Sequence, residues 1–333
     1  MWTGNSPSTN GKSSGEPPVS VILTVLNEAR HLEESIAAIL NSNYSGAIDI
    51  AIAVGPSADG TAELAASLAA RDHRVKVIVN PSGRTPDGLN AAIAATNGEI
   101  IVRVDGHSVI ARDYIRIAVE TLERTGAVNV GGVMAAEGMR PFQRAVARAM
   151  RSRIGVGAAR FHTGGEAGAV DTVYLGVFRR SAIKAIGGFD ARFTRAQDWE
   201  LNYRLRQAGG KVWFNPALAV SYRPRDNARA LARQYFEYGR WRRAVTRHHS
   251  GTVNFRYLAP PINLLLNVIA ISLAVVSPIF ILPTAIYLIS ILTAALAIGK
   301  SWRERALLPI VLIIMHFSWG FGFITSPRTL ISK

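Results

Sequence analysis

Through the first hundred residues, short apolar runs rich in β-branched side chains alternate with amphipathic stretches. Val19–Val25 is a continuous run that fits a strand buried on both faces. Over residues 28–40, Leu32, Ile36, Ile39 and Leu40 recur at helical spacing with charges between them, which predicts a helix. Ile48–Val54, Val75–Val79 and residues 100–104 repeat the strand pattern. A second helix is expected from Asp59-Gly60-Thr61 through Ala70, with Asp59 or Thr61 as its cap. A third opens at Thr85-Pro86, proline being favoured at the first helical position. This alternation predicts a parallel sheet with helices on both faces. In open sheets of this kind ligands bind beyond the carboxyl ends of the strands. The polar, glycine-containing segments there are residues 26–28, 55–60, 80–88 and 105–107.

Residues 126–220 are more mixed. A strand is expected over 170–178 and a short helix over 181–186, closed by Gly187-Gly188. A helix over 199–208 ends at Gly209-Gly210, where a left-handed residue is usual, and a short strand follows over 211–214.

Beyond residue 257 the pattern changes. Residues 261–276, 279–298 and 306–324 are apolar and hold no Asp, Glu, Lys or Arg. A membrane span needs roughly 20 such residues. The second and third runs qualify, and the first does if Leu258 and Ala259 are included; a buried helical subdomain is the alternative. The expected organisation is a disordered tail over 1–17 and a catalytic domain over 18–220. A basic amphipathic juxtamembrane segment over 221–257, about three transmembrane helices over 258–325 and a tail over 326–333 follow.

The net charge of +15 is unevenly placed. Nine arginines against Asp226 and Glu237 give residues 221–256 a net +7. A basic block beside an apolar run suits anionic lipid headgroups and a cytoplasmic location better than nucleic acid. Lys300, Arg303 and Arg305, between the second and third runs, should also be cytoplasmic. The expected location is therefore a multi-pass cell-membrane protein with a cytoplasmic catalytic domain. Arg328 and Lys333 would then fall outside, unless the first two runs form a re-entrant or interfacial hairpin. No signal peptide is visible in the polar first 18 residues. The absence of cysteine excludes disulfides, thiolate zinc sites and cysteine nucleophiles.

Four segments could carry chemistry. Asp105-Gly106-His107 follows a buried strand, and a carboxylate and an imidazole two residues apart can both reach a divalent metal. Asp-Gly is also an ordinary turn, and a lone histidine is often structural. Asp198, in Gln197-Asp198-Trp199-Glu200, could take a proton from an acceptor hydroxyl; equally, these acids could complement a helix dipole. The loop at 80–88, with Gly83-Arg84 and then Asn90, suits a diphosphate or a plain surface turn. Residues 234–241 interleave aromatics with polar groups, as the headgroup region favours; Arg240 and Trp241 could also close over a substrate.

The order of these segments is more specific than any one of them. PVSVILTVLNEARHLEESI, SADGT, NPSGRTPDGLNAAI, GEIIVRVDGH and GGFDARFTRAQDWELNYRLRQAGG together resemble the family 2 glycosyltransferases over residues 18–245. The likeness is to the succinoglycan-type exopolysaccharide branch, where Asp-Gly-His stands for the more usual Asp-x-Asp. The resemblance implies an α/β fold: a nucleotide-diphospho-sugar transferase (GT-A type), Rossmann-like domain followed by C-terminal transmembrane helices. It implies an inverting single displacement with a nucleotide-diphospho-sugar donor, a divalent metal (Mn²⁺ or Mg²⁺) and a lipid-linked saccharide or glycan acceptor. Asp105 would be the metal and diphosphate residue, His107 would occupy the second acid's position, and Asp198 that of the general base. Val25, Asn27 and Glu28 would lie beside the nucleotide, and Arg84 and Asn90 would contact donor phosphate or base. Imidazole suits Mn²⁺ better than Mg²⁺, so a Mn²⁺ preference is expected that weakens as His107 protonates below about pH 6.5.

Two features depart from the family pattern. Val54 stands where an acid usually contacts the nucleobase, and Gln234 lies six residues before Arg240 instead of at the spacing of processive synthases. The first leaves the nucleotide open and motivates a non-catalytic scaffold as the alternative reading. The second favours single-sugar addition. A nicotinamide-dependent dehydrogenase fails because no G-x-G-x-x-G follows Val25.

Overall fold

The structure, a computed structural model, describes residues 15–331. The expectations for residues 1–14, 332 and 333 lie outside them. The chain runs β1 (Val19–Val25), α1 (Leu32–Leu40), β2 (Ile48–Val54), α2 (Thr61–Arg71), β3 (Val75–Val79), α3 (Thr85–Ala94), β4 (Ile100–Arg103), α4 (Tyr114–Thr125) and β5 (Asn129–Ala136). It continues with α5 (Pro141–Met150), α6 (Arg153–Val156), α7 (Arg160–Thr163), β6 (Gly168–Ala169), β7 (Tyr174–Arg179), α8 (Arg180–Ala185), α9 (Gln197–Gln207) and β8 (Val212–Tyr222). Four long helices close it: α10 (Ala228–His248), α11 (Phe255–Leu273), α12 (Leu282–Ile298) and α13 (Trp302–Thr325).

One sheet of order β3-β2-β1-β4-β7-β5-β8-β6 organises the first 222 residues. Its first four strands are parallel, as the alternation predicts. Beyond β4 the sheet becomes mixed: β7 is antiparallel to both β4 and β5, and β8 is parallel to β5. β1 is buried on both faces. Val19, Val21, Leu23 and Val25 pack with Ile36 of α1 and Ile115 of α4. Ile22 points the other way, towards Leu89 of α3 and Leu201 of α9. These two apolar layers fix the sheet's register, because a one-residue slip would exchange the faces.

Several elements differ from their sequence pattern. α1 starts at Leu32, not at residue 28, because Asn27 is left-handed (φ 56°) and turns the chain. Of the strand expected over 170–178 only the second half forms, as β7, with Leu175 at φ 43° near its start; the two-residue β6 lies just before the expected range. β5 is hidden in sequence by Gly131-Gly132. A side chain on Gly132 would collide with the Leu218 carbonyl of β8, so glycine is required where the two strands crowd. β8 runs to Tyr222, eight residues past the end expected for it.

α11, residues 278–298 and α13 are each long and apolar enough to cross a membrane. α11 and α12 form a hairpin that leaves Leu265, Val268, Ile269, Ile286, Ile289 and Leu292 about half exposed or more. α13 lies between this hairpin and the pair α5 and α10. Its Leu308, Val311, Leu312 and Met315 meet Ala145 and Met150 of α5, Leu231 and Tyr235 of α10, and Ile291 and Ala295 of α12.

Candidate active site

The turns that follow β1, β2, β3 and β4 meet at one edge of the sheet, and side chains stitch them together. Asn27 Oδ1 accepts from the Ala58 amide (2.9 Å), and Ser57 Oγ accepts from the Asn27 amide (3.1 Å). The Glu28 amide donates to Thr61 Oγ1 (2.8 Å) and the Ala29 amide to Asp59 Oδ2 (3.1 Å). Asp59 also accepts from the Thr61 amide (3.1 Å), but the N-cap of α2 is Gly60, so neither Asp59 nor Thr61 is the cap that the sequence pattern suggests. Val25 is the floor of this region. It is buried, a side chain on Gly106 would strike its Cγ1, and its carbonyl accepts from the Gly55 amide (2.8 Å). Where an acid would be expected, Val54 is buried, and Leu26, Pro56 and Gly83 pack against one another around Gly55 to form an apolar ledge.

Asp105 and Asp198 are brought together by a residue outside the sequence-derived candidates. Arg103, the last residue of β4, is 4% exposed. Its Nη2 donates to Asp105 Oδ1 (3.1 Å) and its Nη1 is paired with Asp198 Oδ1. One guanidinium thus spans the end of the strand and the first turn of α9, 95 residues later. Its Nε is buried without a protein partner. The signal was present in the sequence: an arginine inside the apolar run Ile100-Ile101-Val102-Arg103-Val104 is costly unless paired. Tyr174, at the start of β7, is a second such neighbour. Burial raises its phenol well above the ordinary value, and the Asp105 charge adds to this.

The turn carrying Asp198 is itself held on two sides. Glu200, 1% exposed, accepts from Arg204 Nε and Nη2 (both 2.7 Å), while Arg204 also donates to the carbonyls of Ile186 and Gly188 (2.7 and 2.8 Å). His249, just past α10, lies 3.1 Å from Glu200 Oε1. Gly188 and Gly187 adopt the left-handed backbone (φ 78° each) that this sharp turn demands.

His107 Nδ1 is 2.8 Å from Glu28 Oε1. This hydrogen bond raises the His107 pKa above its ordinary value, so the charged ring persists to higher pH than the sequence alone implied. It also leaves Nε2 as the nitrogen open to another partner. A carboxylate behind a histidine is the usual support for a metal-ligating imidazole. Among the described residues no three His, Asp or Glu side chains converge as a closed metal site. The donor set of Asp105 and His107 therefore suits an ion that takes its remaining ligands from substrate phosphates and water, as Mg²⁺ and Mn²⁺ do at nucleotide sites.

Two of the candidate residues make contacts within the protein. Asn90 clamps Phe189: Nδ2 donates to its carbonyl (2.7 Å) and Oδ1 accepts from its amide (2.8 Å). Both ends of the Asn90 amide, expected at the donor, are thus engaged by the Phe189 backbone. Arg84 donates to the Ala191 carbonyl and lies 3.4 Å from Asp87, bracing the 80–88 loop against the segment before α9. On the far side, Gln234 donates to the hydroxyls of Tyr222 (2.8 Å) and Tyr238 (2.7 Å). Arg225 is close enough to oppose a charge on His107, and Arg195 and Arg225 both favour one on Tyr238.

The family model for glycosyl transferase family 2 matches residues 20–187. The chain is 31% identical over 309 residues to the succinoglycan biosynthesis protein ExoA of Rhizobium meliloti (strain 1021), covering 91% of this chain and 93% of that one. It is 25% identical over 320 residues to the dolichyl N-acetyl-alpha-D-glucosaminyl phosphate 3-beta-D-2,3-diacetamido-2,3-dideoxy-beta-D-glucuronosyltransferase of Methanococcus voltae, covering 92% and 95%. Among solved structures, the mannosyltransferase PcManGT from Pyrobaculum calidifontis, in complex with GDP-Man and Mn²⁺, shares the fold. Its TM-score is 0.62 at 22% identity, over 91% of this chain and 86% of that one.

Proposed function

The chain belongs to glycosyl transferase family 2, and from that premise we propose that it moves one sugar, with inversion, from a nucleotide-diphospho-sugar to a lipid-linked or glycan acceptor. The reaction serves exopolysaccharide or cell-envelope glycan synthesis, at the cytoplasmic face of the cell membrane. The observation that carries this reading is the Arg103 bridge, which sets the diphosphate residue and the base candidate on one guanidinium. The relatives' parts in polysaccharide and lipid-linked sugar synthesis support the acceptor class.

In this reading the donor diphosphate lies over the turns after β1 and β4, with the nucleobase on the ledge of Leu26, Pro56 and Gly83. Asn27, Glu28 and the Arg84 loop frame it. Asp198 takes the proton of the acceptor hydroxyl as that oxygen bonds to the anomeric carbon. The bond from that carbon to the diphosphate breaks on the opposite face, and the nucleoside diphosphate leaves with the bonding pair. A divalent ion, held by Asp105 and by Nε2 of His107, would supply neutralisation of the leaving diphosphate. Arg103 holds Asp198 in place and keeps positive charge beside Asp105.

Two measurements test this. Release of nucleoside diphosphate from a panel of UDP- and GDP-sugars with Mn²⁺ or Mg²⁺ should identify one competent donor. Asp198→Asn should then abolish transfer while calorimetry still records donor binding. Loss of donor binding as well would remove Asp198 from the base position.

A further inference from the structure

The lengths of the apolar helices alone suggest three membrane crossings. The contacts at the two ends of α13 argue otherwise. At its start, Glu304 is 5% exposed and lies 3.4 Å from Arg148 and 3.9 Å from Arg144, both on α5. At its end, the Ser326 carbonyl accepts from Arg247 (2.9 Å), and Ser326 Oγ donates to the Arg240 carbonyl (2.9 Å), both on α10. Leu330 and Ile331 then pack on Phe193, Trp199, Trp241 and Val245, beside the turn that bears Asp198. Both ends of α13 are therefore tied to the catalytic domain. A helix of 24 residues is roughly 36 Å long, more than a hydrocarbon core of about 30 Å. If α13 crossed the bilayer, one of those ends, with its arginines, would have to cross too.

α10 makes that crossing untenable. It runs beside α13 from Leu231 to Arg247 and carries six arginines. Each arginine costs about 2.5–3.5 kcal/mol at a bilayer centre.

The α11–α12 hairpin has a limited reach past α13. Tyr287 of α12 stacks on Phe317 of α13 (ring centroids 5.5 Å apart) and lies 3.1 Å from His316. From Tyr287 to the turn at Ser277 there remain on the order of 15 Å of helix, half a hydrocarbon core. The turn is apolar, with Val275 90%, Val276 80% and Ile279 62% exposed, so a tip emerging into water on the far side would bare these residues.

The geometry points to one-sided insertion: α13 lies in the membrane plane, the α11–α12 hairpin enters a single leaflet, and residues 328–331 stay on the side of the catalytic domain. The occupant of the exposed apolar surface is the acyl region of that leaflet, with anionic headgroups over the arginines of α5 and α10. This placement also puts Arg328 on the same side as the other basic residues, which removes the conflict with the positive-inside pattern.

The inference rests on the membrane association in the proposed function, but its readout needs no turnover, so the two can fail separately. The chain has no cysteine, which makes single-cysteine labelling clean. Ser67→Cys on exposed α2, Thr329→Cys and Val276→Cys would be treated with a membrane-impermeant maleimide in right-side-out and inverted vesicles. Only variants recovered in the membrane fraction at the parental level, with parental melting temperature, would be scored, with Val275→Cys as the second tip position. The expected result is labelling of Ser67→Cys and Thr329→Cys from the same face, and of the tip cysteine from neither face until detergent is added. Labelling of Thr329→Cys from the opposite face, or of the tip from that face, would overturn one-sided insertion. Release of the whole protein from membranes by alkaline carbonate would overturn it too.

Discussion

The four parallel strands and the four beyond them support the site by different means. Beyond β1 and β2 the loops hold one another through short polar side chains: Asn27 with Ser57 and Ala58, and Asp59 with Ala29 and Thr61. Beyond β4 the work passes to arginines: Arg103 reaches Asp198 across the sequence, and Arg204 joins Glu200, one helical turn away, to the 186–188 turn. The first half is a preformed cradle that tolerates loss of one bond in several. The second half depends on single guanidinium forks, so one substitution there should cost far more.

The largest effect is expected at Arg103. Arg103→Ala leaves Asp105 and Asp198 without their shared cation and should lower kcat/KM on the order of 100-fold, with Arg103→Lys recovering part of it. Retention of rates within about threefold in the alanine variant would erase the contrast between the halves. Next comes Asn90, which belongs by sequence to the donor half but by contacts to the second. Asn90→Ala should cost about 1–3 kcal/mol in thermal unfolding while donor affinity stays nearly unchanged. Loss of donor affinity at full stability would return Asn90 to the donor.

A pH effect comes from His162 in α7. Its Nδ1 is buried without a partner, and burial holds its pKa down at about 3. The unfolded chain takes up a proton near pH 6.5 and the folded one does not, so stability is full above that pH and declines as pH falls towards 3. His162→Gln should flatten the decline of melting temperature between pH 7 and 5; an unchanged slope would assign it to other groups. The smallest effect is expected in the cradle. Asn27→Ala should cost about 1–2 kcal/mol, and Asn27→Gly less, because glycine keeps the left-handed backbone at no steric cost. Equal losses would show that the side-chain bonds and not the backbone set the value.

The same division explains what the sequence made legible. The first four strands and their order of helices followed from periodicity, because each is a local run bounded by turn residues. Asp105 and Asp198 stood out because strand ends and helix starts are recognisable places. Nothing local announces that β7 inserts antiparallel between β4 and β5, since that pairing joins residues nearly eighty positions apart. The Asn90 contact was hidden for the same reason: its partner, Phe189, lies 99 residues away. Arg103 was readable as a buried charge needing a partner, but not which partner. The apolar runs near the end announced a lipid environment by composition, and the direction of α13 within it by nothing short of the contacts at both its ends.

One of those contacts has a mechanical meaning. α10 and α13 touch backbone to backbone where Gly239 meets Trp319 and Gly322 meets Phe236, and any side chain at either glycine would collide with the facing carbonyl. Such a seam leaves no slack for sliding or rocking. If the lipid layer is docked as inferred, the altitude of Asp198 above the headgroups is a constant of the fold. The enzyme is then a fixed gauge, and an acceptor qualifies by whether its own sugar–phosphate stem brings a hydroxyl to that height.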